Sequence, residues 1–225
     1  MTKRLAGLTM AAVCTFTFIF GRVCPTSHVK SVELPVAYDI VSVDQMVRNQ
    51  HDIQDNTLEY EKELEQKAAI EAENARILSN AQYAQAYFDK RGVKVPSEYT
   101  SYFEHAGNIY GISPSILMAI GFKESRYMPN VSNGRCKGLM QVNVDIHRNR
   151  LNAYGGDWSN PNCNICAAAD LLSELLKKYG NVQTALAAYG GERNPYSPHP
   201  SAYVSDLLTL ATYFDYVEEA KRRNL

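Results

Sequence analysis

Apolar and polar residues follow no single rhythm along this chain, and the changes of rhythm divide it into three stretches. Lys3 and Arg4 precede an uncharged, mostly apolar run from Leu5 to Gly21, which ends before Arg22. From Pro25 to about Asn56, Val, Pro, Asp and Gln mix without helical or strand periodicity over any long window, the pattern of a spacer held partly in extended form. From Thr57 to about Arg91 the composition shifts to Glu, Lys, Gln and Ala, all good helix formers, and Gly92 and Pro96 mark the stop. Ala68, Ala72, Ala75 and Ser79 keep a three-four spacing only loosely, which favours a solvated helical stalk over a coiled coil. Spacer and charged stalk together take residues 25–95.

From Pro96 to Leu225 short amphipathic segments alternate with Gly, Pro and Asn, and aromatic residues are spread throughout, as in a globular domain. The pattern predicts helices over Tyr99 to Tyr110, Pro114 to about Arg126, Cys163 to Tyr179, Val182 to Tyr189 and Ser201 to Arg222. No comparable series of alternating strands is present, so the predicted class is mainly α.

The basic pair before the first apolar run makes residues 1–24 a signal peptide or an uncleaved membrane anchor. The run is slightly short of the roughly 20 residues of a spanning helix and longer than many cleaved signal cores. No small-x-small site precedes Pro25, which tilts the reading toward the anchor. With Lys3 and Arg4 held in the cytoplasm, everything after Arg22 is expected outside. An oxidising compartment suits the cysteines: Cys24, Cys136, Cys163 and Cys166 are free to pair, whereas Cys14 lies within the apolar run. The Cys163-x-x-Cys166 spacing also suits zinc, but further ligands are scarce, and disulfides are preferred to unpaired thiols and those to a metal site. With 23 basic and 24 acidic residues there is no global field to attract nucleic acid or another polyanion, so an anionic ligand has to be held by local contacts.

One carboxylate stands out. Ser113-Pro114 reads as a cap followed by proline at the first helical position, so the helix phase can be counted from Pro114. Ile116, Ile120 and Glu124 then fall four apart, which sets Glu124 in line with an apolar stripe. A carboxyl withdrawn from water has its charged form destabilised and becomes a candidate general acid. On periodicity alone an equal alternative is a rim residue paired with Lys123, Arg126 or Arg135.

The segments Ile-Gly-Phe-Lys-Glu124-Ser125-Arg-Tyr-Met-Pro129, Gly138-Leu-Met140-Gln141-Val-Asn143 and Ala185-Leu-Ala-Ala-Tyr189, in this order, resemble the soluble lytic transglycosylase (SLT) domain, a lysozyme-like family that acts on peptidoglycan. Asn164-Ile165 before a long helix adds to the likeness, which covers roughly Tyr99 to Tyr216. The resemblance implies a lysozyme-like fold, no metal or organic cofactor, and peptidoglycan glycan strands as substrate. It also implies Glu124 as the residue that protonates the bond between N-acetylmuramic acid and N-acetylglucosamine, then deprotonates the muramoyl 6-hydroxyl to leave a 1,6-anhydro end.

The same resemblance puts Gly138, Met140 and Gln141 along the groove, and Ser125 is equally a groove contact or a local helix hydroxyl. The resemblance makes Tyr189 the tyrosine whose hydroxyl lies near the acid, and Tyr203 a groove-lining residue. Their plain readings are a helix hydroxyl, a turn glycine, a core methionine, a surface amide and two core tyrosines. Asp145 and Asp157 are the sequence neighbours a hydrolase would recruit as a second carboxylate, and both read better as loop residues. A bridge from Cys136 to Cys163 or Cys166 would stiffen one wall of the cleft. The family continues after the tyrosine with Asn, a variable residue and Gly, whereas here Gly190-Gly191-Glu192 follow. Lysozyme-type hydrolysis and a non-catalytic wall-binding or assembly protein are the rival readings, and service to a cell-wall-spanning apparatus is one of several tasks left open.

Overall fold

The helices form where capping residues and apolar spacing coincide, and seven are found in the computed structural model of the chain, which describes residues 42–225. They are α1 (Val43–Arg91), α2 (Ser97–Tyr110), α3 (Pro114–Ser125), α4 (Arg148–Ala153), α5 (Pro161–Tyr179), α6 (Val182–Tyr189) and α7 (Ala202–Arg222). The chain divides into two compact units after Asp52. In the first, the described residues are the opening turns of α1, where Ser42 accepts backbone N–H bonds from Gln45 and Met46. The second, Ile53–Leu225, holds the rest of α1 and every other element.

Helix α1 starts at Val43, well before Thr57. Its first half is exposed on every side, so no apolar period marks it, and backbone propagation from the Ser42 cap carries it through. Its last turns are not solvated: Ile77, Ala81, Ala84 and Phe88 are buried. Ile77 and Ala81 pack with Ala220 of α7, and the Phe88 ring meets that of Phe214 at 4.6 Å. The main core accordingly takes in Phe88 and Val93, which precede Pro96.

Helix α3 is buried nearly all round, with Leu117, Ala119 and Ile120 fully enclosed, and lies against α2 and α7. Helix α5 packs on α2, α4 and α6. Asparagine caps start the two helices beneath the site: Asn160 Oδ1 accepts from Cys163 N (3.1 Å) and Asn181 Oδ1 from Thr184 N (2.8 Å). Ser113 makes no such side-chain bond, and α3 begins at Pro114 all the same.

Between α3 and α4 runs an element the periodicity could not show, a three-stranded antiparallel sheet of two-residue strands: β1 (Ser132–Asn133), β2 (Cys136–Lys137) and β3 (Val142–Asn143). Cys136 faces Asn143 and Lys137 faces Val142 across the second pairing. Strands of two residues are too short for an alternation to register.

The expected bridge from Cys136 to α5 is not formed; Cys136, Cys163 and Cys166 are free thiols. The Cys163 thiol donates to the Leu151 carbonyl and the Cys166 thiol to the Asn162 side chain. Burial pushes both thiols up, which disfavours the thiolate that disulfide exchange needs, and they pack as small apolar groups. Cys14, Cys24 and the apolar run Leu5 to Gly21 lie outside the described residues. Among the described residues no helix is long and apolar enough to cross a membrane.

Candidate active site

Glu124 occupies the last turn of α3, which ends because Arg126 and Tyr127 both take positive φ (53° and 62°). The Tyr127 side chain turns inward, its hydroxyl donating to the Met118 carbonyl at 3.0 Å, and locks this exit. The Glu124 carboxyl is partly buried, and desolvation raises its pKa above the ordinary 4.5; the Tyr203 hydrogen bond and the Lys123 charge oppose that rise without cancelling it.

The competing account of Glu124 as half of a rim ion pair fails on geometry, because each nearby cation is engaged elsewhere. Lys123 Nζ bonds Asp206 Oδ2 of α7 at 2.6 Å. Arg135 pairs with Asp145 at 3.3 Å, and the Arg126 guanidinium lies 5.5 Å from the centre of the Phe122 ring. Among the described residues the one hydrogen bond to the Glu124 carboxyl comes from the Tyr203 hydroxyl, at 2.5 Å from Oε1.

Tyr203 sits in the first turn of α7, and its position is fixed from two sides. Ser201, the N-cap, accepts from Val204 N (3.2 Å) and donates to Glu192 Oε1. Gly190 lies under the ring, so closely that a Cβ there would stand 2.6 Å from Tyr203 Cε1. Burial, then the Glu124 charge, push the Tyr203 hydroxyl far above its ordinary value, so it stays a proton donor.

The two tyrosines therefore divide the work. Tyr189 donates to the Met140 carbonyl at 2.8 Å, and Tyr203 is the one bonded to the acid. Tyr189 is nonetheless close enough for the Glu124 charge to add to the burial that raises its own pKa.

The remaining sequence candidates form a wall held together by their own hydrogen bonds and close packing. The Ser125 hydroxyl, buried, donates to Leu139 O (2.7 Å) and to Gly121 O (3.3 Å), the helix-hydroxyl role. Met140 is fully buried and acts through its backbone. Gln141, at φ 50°, uses its amide N–H groups on Gly138 O (2.8 Å) and Val131 O (3.2 Å) of its own loop. Gly138 needs its bare Cα for packing: at φ +83° a Cβ would lie 2.4 Å from Asn164 Nδ2 and 2.5 Å from the Trp158 carbonyl.

Asn164 is the residue that ties this wall together. Fully buried on α5, it accepts from Met140 N (2.7 Å) and donates to Lys137 O (3.1 Å), and Met140 in turn receives Tyr189. An asparagine within the apolar run Cys163 to Ala169 was the available signal, since a buried amide must be satisfied on both ends. Asp206 and Gly190 carried no sequence signal of their own.

The two loop carboxylates stay loop residues: Asp145 pairs with Arg135, and Asp157 accepts from Ser159 N (2.8 Å) and Oγ (2.6 Å). Glu192 is spent on Ser201. Among the described residues the arrangement is thus one unpaired carboxyl with a raised pKa, a single phenolic donor upon it, and no second carboxylate bonded to it. That is the equipment of a group that gives and retakes a proton.

The transglycosylase SLT domain model matches residues 101–196. Protein IpgF of Shigella sonnei is 33% identical over 132 residues, covering 54% of this chain and 85% of that protein. An X polypeptide of Escherichia coli is 38% identical over 125 residues, 50% of this chain and 73% of that protein. The peptidoglycan transglycosylase gp16 of Escherichia phage T7 is 32% identical over 122 residues, which is 51% of this chain but 9% of gp16.

Proposed function

Since this chain belongs to the transglycosylase SLT domain family, we propose that it cleaves the β-1,4 bond between N-acetylmuramic acid and N-acetylglucosamine in peptidoglycan, leaving 1,6-anhydromuramoyl ends. One observation carries the reading: among the described residues the Glu124 carboxyl is ion-paired with no cation and bonded to no second carboxylate, and its hydrogen bond comes from Tyr203.

In the first step the protonated Glu124 gives its proton to the glycosidic oxygen while the C1–O bond breaks. The carboxylate so formed strengthens its bond from Tyr203, because a hydrogen bond to a charged acceptor exceeds one to a neutral acceptor. In the second step that carboxylate takes the proton of the muramoyl 6-hydroxyl as O6 closes on C1. One bond to C1 breaks and one forms, the proton passes from O6 to the departing oxygen through Glu124, and no water is consumed. A hydrolase would need a second carboxylate to steer water or hold the cationic sugar, and Asp145, Asp157 and Glu192 are committed to other partners. No metal or organic cofactor has a step in this scheme.

The reading extends to an extracytoplasmic site of action, supported by the basic pair and apolar run at the N-terminus, with residues 1–24 as anchor or signal and residues 25–95 as spacer and stalk. The test is mass spectrometry of muropeptides released from purified peptidoglycan by the protein and by Glu124→Gln. Anhydromuramoyl products that vanish in the variant are expected. Reducing ends in their place would establish hydrolysis and reopen Asp145 and Asp157; binding without any product would leave a wall-binding protein.

A further inference from the structure

The start of α3 and the last turns of α7 border a groove well away from the acid. Pro114 opens α3 and Glu124 lies in its last turn, a separation of about 15 Å along the helix axis. One cavity of about 200 Å³ takes its apolar lining from Phe88, Val93, Phe214 and Val217. A second, of about 250 Å³, is lined by Glu104, Ser113, Ser115 and Asp215. Thr100, Met118 and Glu218 line both, so the two cavities are the ends of one groove.

The second cavity is acidic and its polar groups are unsatisfied. Glu104 and Asp215 join no ion pair among the described residues, whereas Arg222, the cation of the lining, pairs with Glu219, and Glu218 pairs with Lys221. Ser115 is 4% exposed, and its hydroxyl has no hydrogen-bond partner among the described residues. A hydroxyl so enclosed is ordinarily bonded; this one faces the cavity. Ser113, at the N-cap, makes no side-chain cap bond either. Carboxylates near the start of α3 suit the helix dipole, but the dipole makes no use of the two hydroxyls, which are left for a partner from outside the chain.

We propose that this groove docks an extended segment of a partner protein in which a lysine or arginine stands next to an apolar residue. The apolar side chain enters among Phe88, Phe214 and Val217, and the ammonium or guanidinium donates to the Glu104 and Asp215 carboxylates and to the Ser115 hydroxyl. Charge sets the direction of the segment: Lys94 borders the apolar end and repels a cation there, while the two acids attract one at the other end. An anionic lipid surface would meet the same carboxylates and be repelled, and a small free cation would leave the apolar end unused. Because the groove lies at the far end of α3, a docked partner leaves the acid accessible, and the proposal holds whether or not Glu124 acts on peptidoglycan.

The probe is the capped tetrapeptide glycine-leucine-arginine-glycine, titrated into the isotope-labelled full chain in neutral detergent and followed by amide NMR. Saturable movement of the Glu104, Ser115 and Asp215 signals is expected, with the Glu124 signal still. Glutamate in place of the peptide's arginine should abolish the movement, and serine in place of its leucine should weaken binding by about tenfold. The double variant Glu104→Gln/Asp215→Asn changes two exposed side chains and should weaken binding by about tenfold, through the loss of two screened ionic contacts.

No saturable movement at the three amides, or movement that is unchanged in the double variant or with the glutamate peptide, would overturn the groove as a docking site. Capped arginine alone producing the same shifts at the same concentration would show a cation pocket only and overturn the assignment to a protein segment. A shift at Glu124 as large as that at Ser115 would put the peptide in the active-site cleft and overturn its placement here.

Discussion

Replacing Gly190 by alanine adds one methyl group beneath the Tyr203 ring, and the surrounding distances set the size of the disturbance. The new Cβ would stand 2.6 Å from Cε1, 2.9 Å from Cδ1 and 3.1 Å from Cζ. Carbon atoms in contact settle at about 3.5–4.0 Å, so the ring has to retreat by about 1 Å. Gly190 itself is at φ −70°, a conformation alanine adopts freely, so the perturbation falls on the ring and not on the backbone. The Tyr203–Glu124 bond of 2.5 Å would open to about 3.5 Å, beyond hydrogen-bond distance.

A hydrogen bond to a charged group contributes about 1.5–3 kcal/mol, so kcat/KM for glycan cleavage should fall about 10- to 100-fold. Because the bond strengthens only when Glu124 has given up its proton, the loss should lie in kcat, with KM little changed. Tyr203→Phe should cost a similar factor, and the double variant should be no worse than Tyr203→Phe alone, since both remove one interaction. Gly191→Ala is the control: Gly191 sits at φ +76° with open space around its Cα, so alanine there should cost about 1–2 kcal/mol of stability and leave the rate alone. Wild-type kcat in Gly190→Ala, or losses that multiply with those of Tyr203→Phe, would refute the argument that Gly190 serves the acid through the ring.

Asn164→Ala leaves Met140 N and Lys137 O buried without partners, which should cost roughly 2–4 kcal/mol and lower Tm by about 5–15 °C in a thermal melt; a loss of a degree or two would show that the wall does not depend on that amide. Glu124→Gln should stabilise the fold in a pH-dependent way. Burial raises the folded-state pKa above the unfolded value, so the ionised carboxyl costs stability above the folded pKa, and that cost disappears as pH falls through the unfolded value. The variant should therefore gain Tm at about pH 7–8 and not at about pH 4, whereas the same gain at both would show that the carboxyl titrates normally. Asp206→Asn releases Lys123 beside Glu124, where an uncompensated ammonium lowers the acid's pKa further. The alkaline limb of kcat/KM, where the acid loses its proton, should then move to lower pH, and an unmoved limb would show that Lys123 is not coupled to Glu124.

Much of the helical frame was legible because caps and stops are local: Gly111, Gly180, Asn181 and Ser201 bound their helices within a residue or two of where the sequence puts them. Phase counting left Glu124 level with a rim residue, and the family resemblance singled it out; the phase argument was also incomplete. The stripe through Ile116 and Ile120 is not the one inward face of α3, since that helix is enclosed almost all round and Ile116 is only partly buried. What the sequence could not show is tertiary choice between equivalent partners. Nothing local says that Lys123 prefers Asp206, 83 residues on, to the carboxylate beside it. Likewise, nothing in the run Gly190-Gly191-Glu192 says that the first glycine clears space for a ring and the glutamate holds a cap serine. The early turns of α1 escaped for the opposite reason: with no packing there is no period to read.

Those tertiary choices converge on helix α7, and they explain how a lone carboxyl stays fit for proton transfer. Tyr203 and Asp206 are three apart on its first turns and so share a face. One gives Glu124 its hydrogen bond; the other removes from Glu124 the ammonium that would otherwise pair with it. The two effects are opposite in sign, since the phenol stabilises the carboxylate modestly while the withdrawal of Lys123 protects its protonated form. A full ion pair would have suppressed the acid, and complete isolation would have suppressed the base. The same Asp206 carboxylate lies 3.7 Å from Arg91 at the end of α1, and the rings of Tyr83 and Tyr87 meet Tyr213 further along α7. The packing of the charged helix therefore bears on the same element that sets the protonation of the acid. A displacement of α7 along α3 would change both of Glu124's controls together, which is why its first turn is pinned by the Ser201 cap and the close fit of Tyr203 over Gly190.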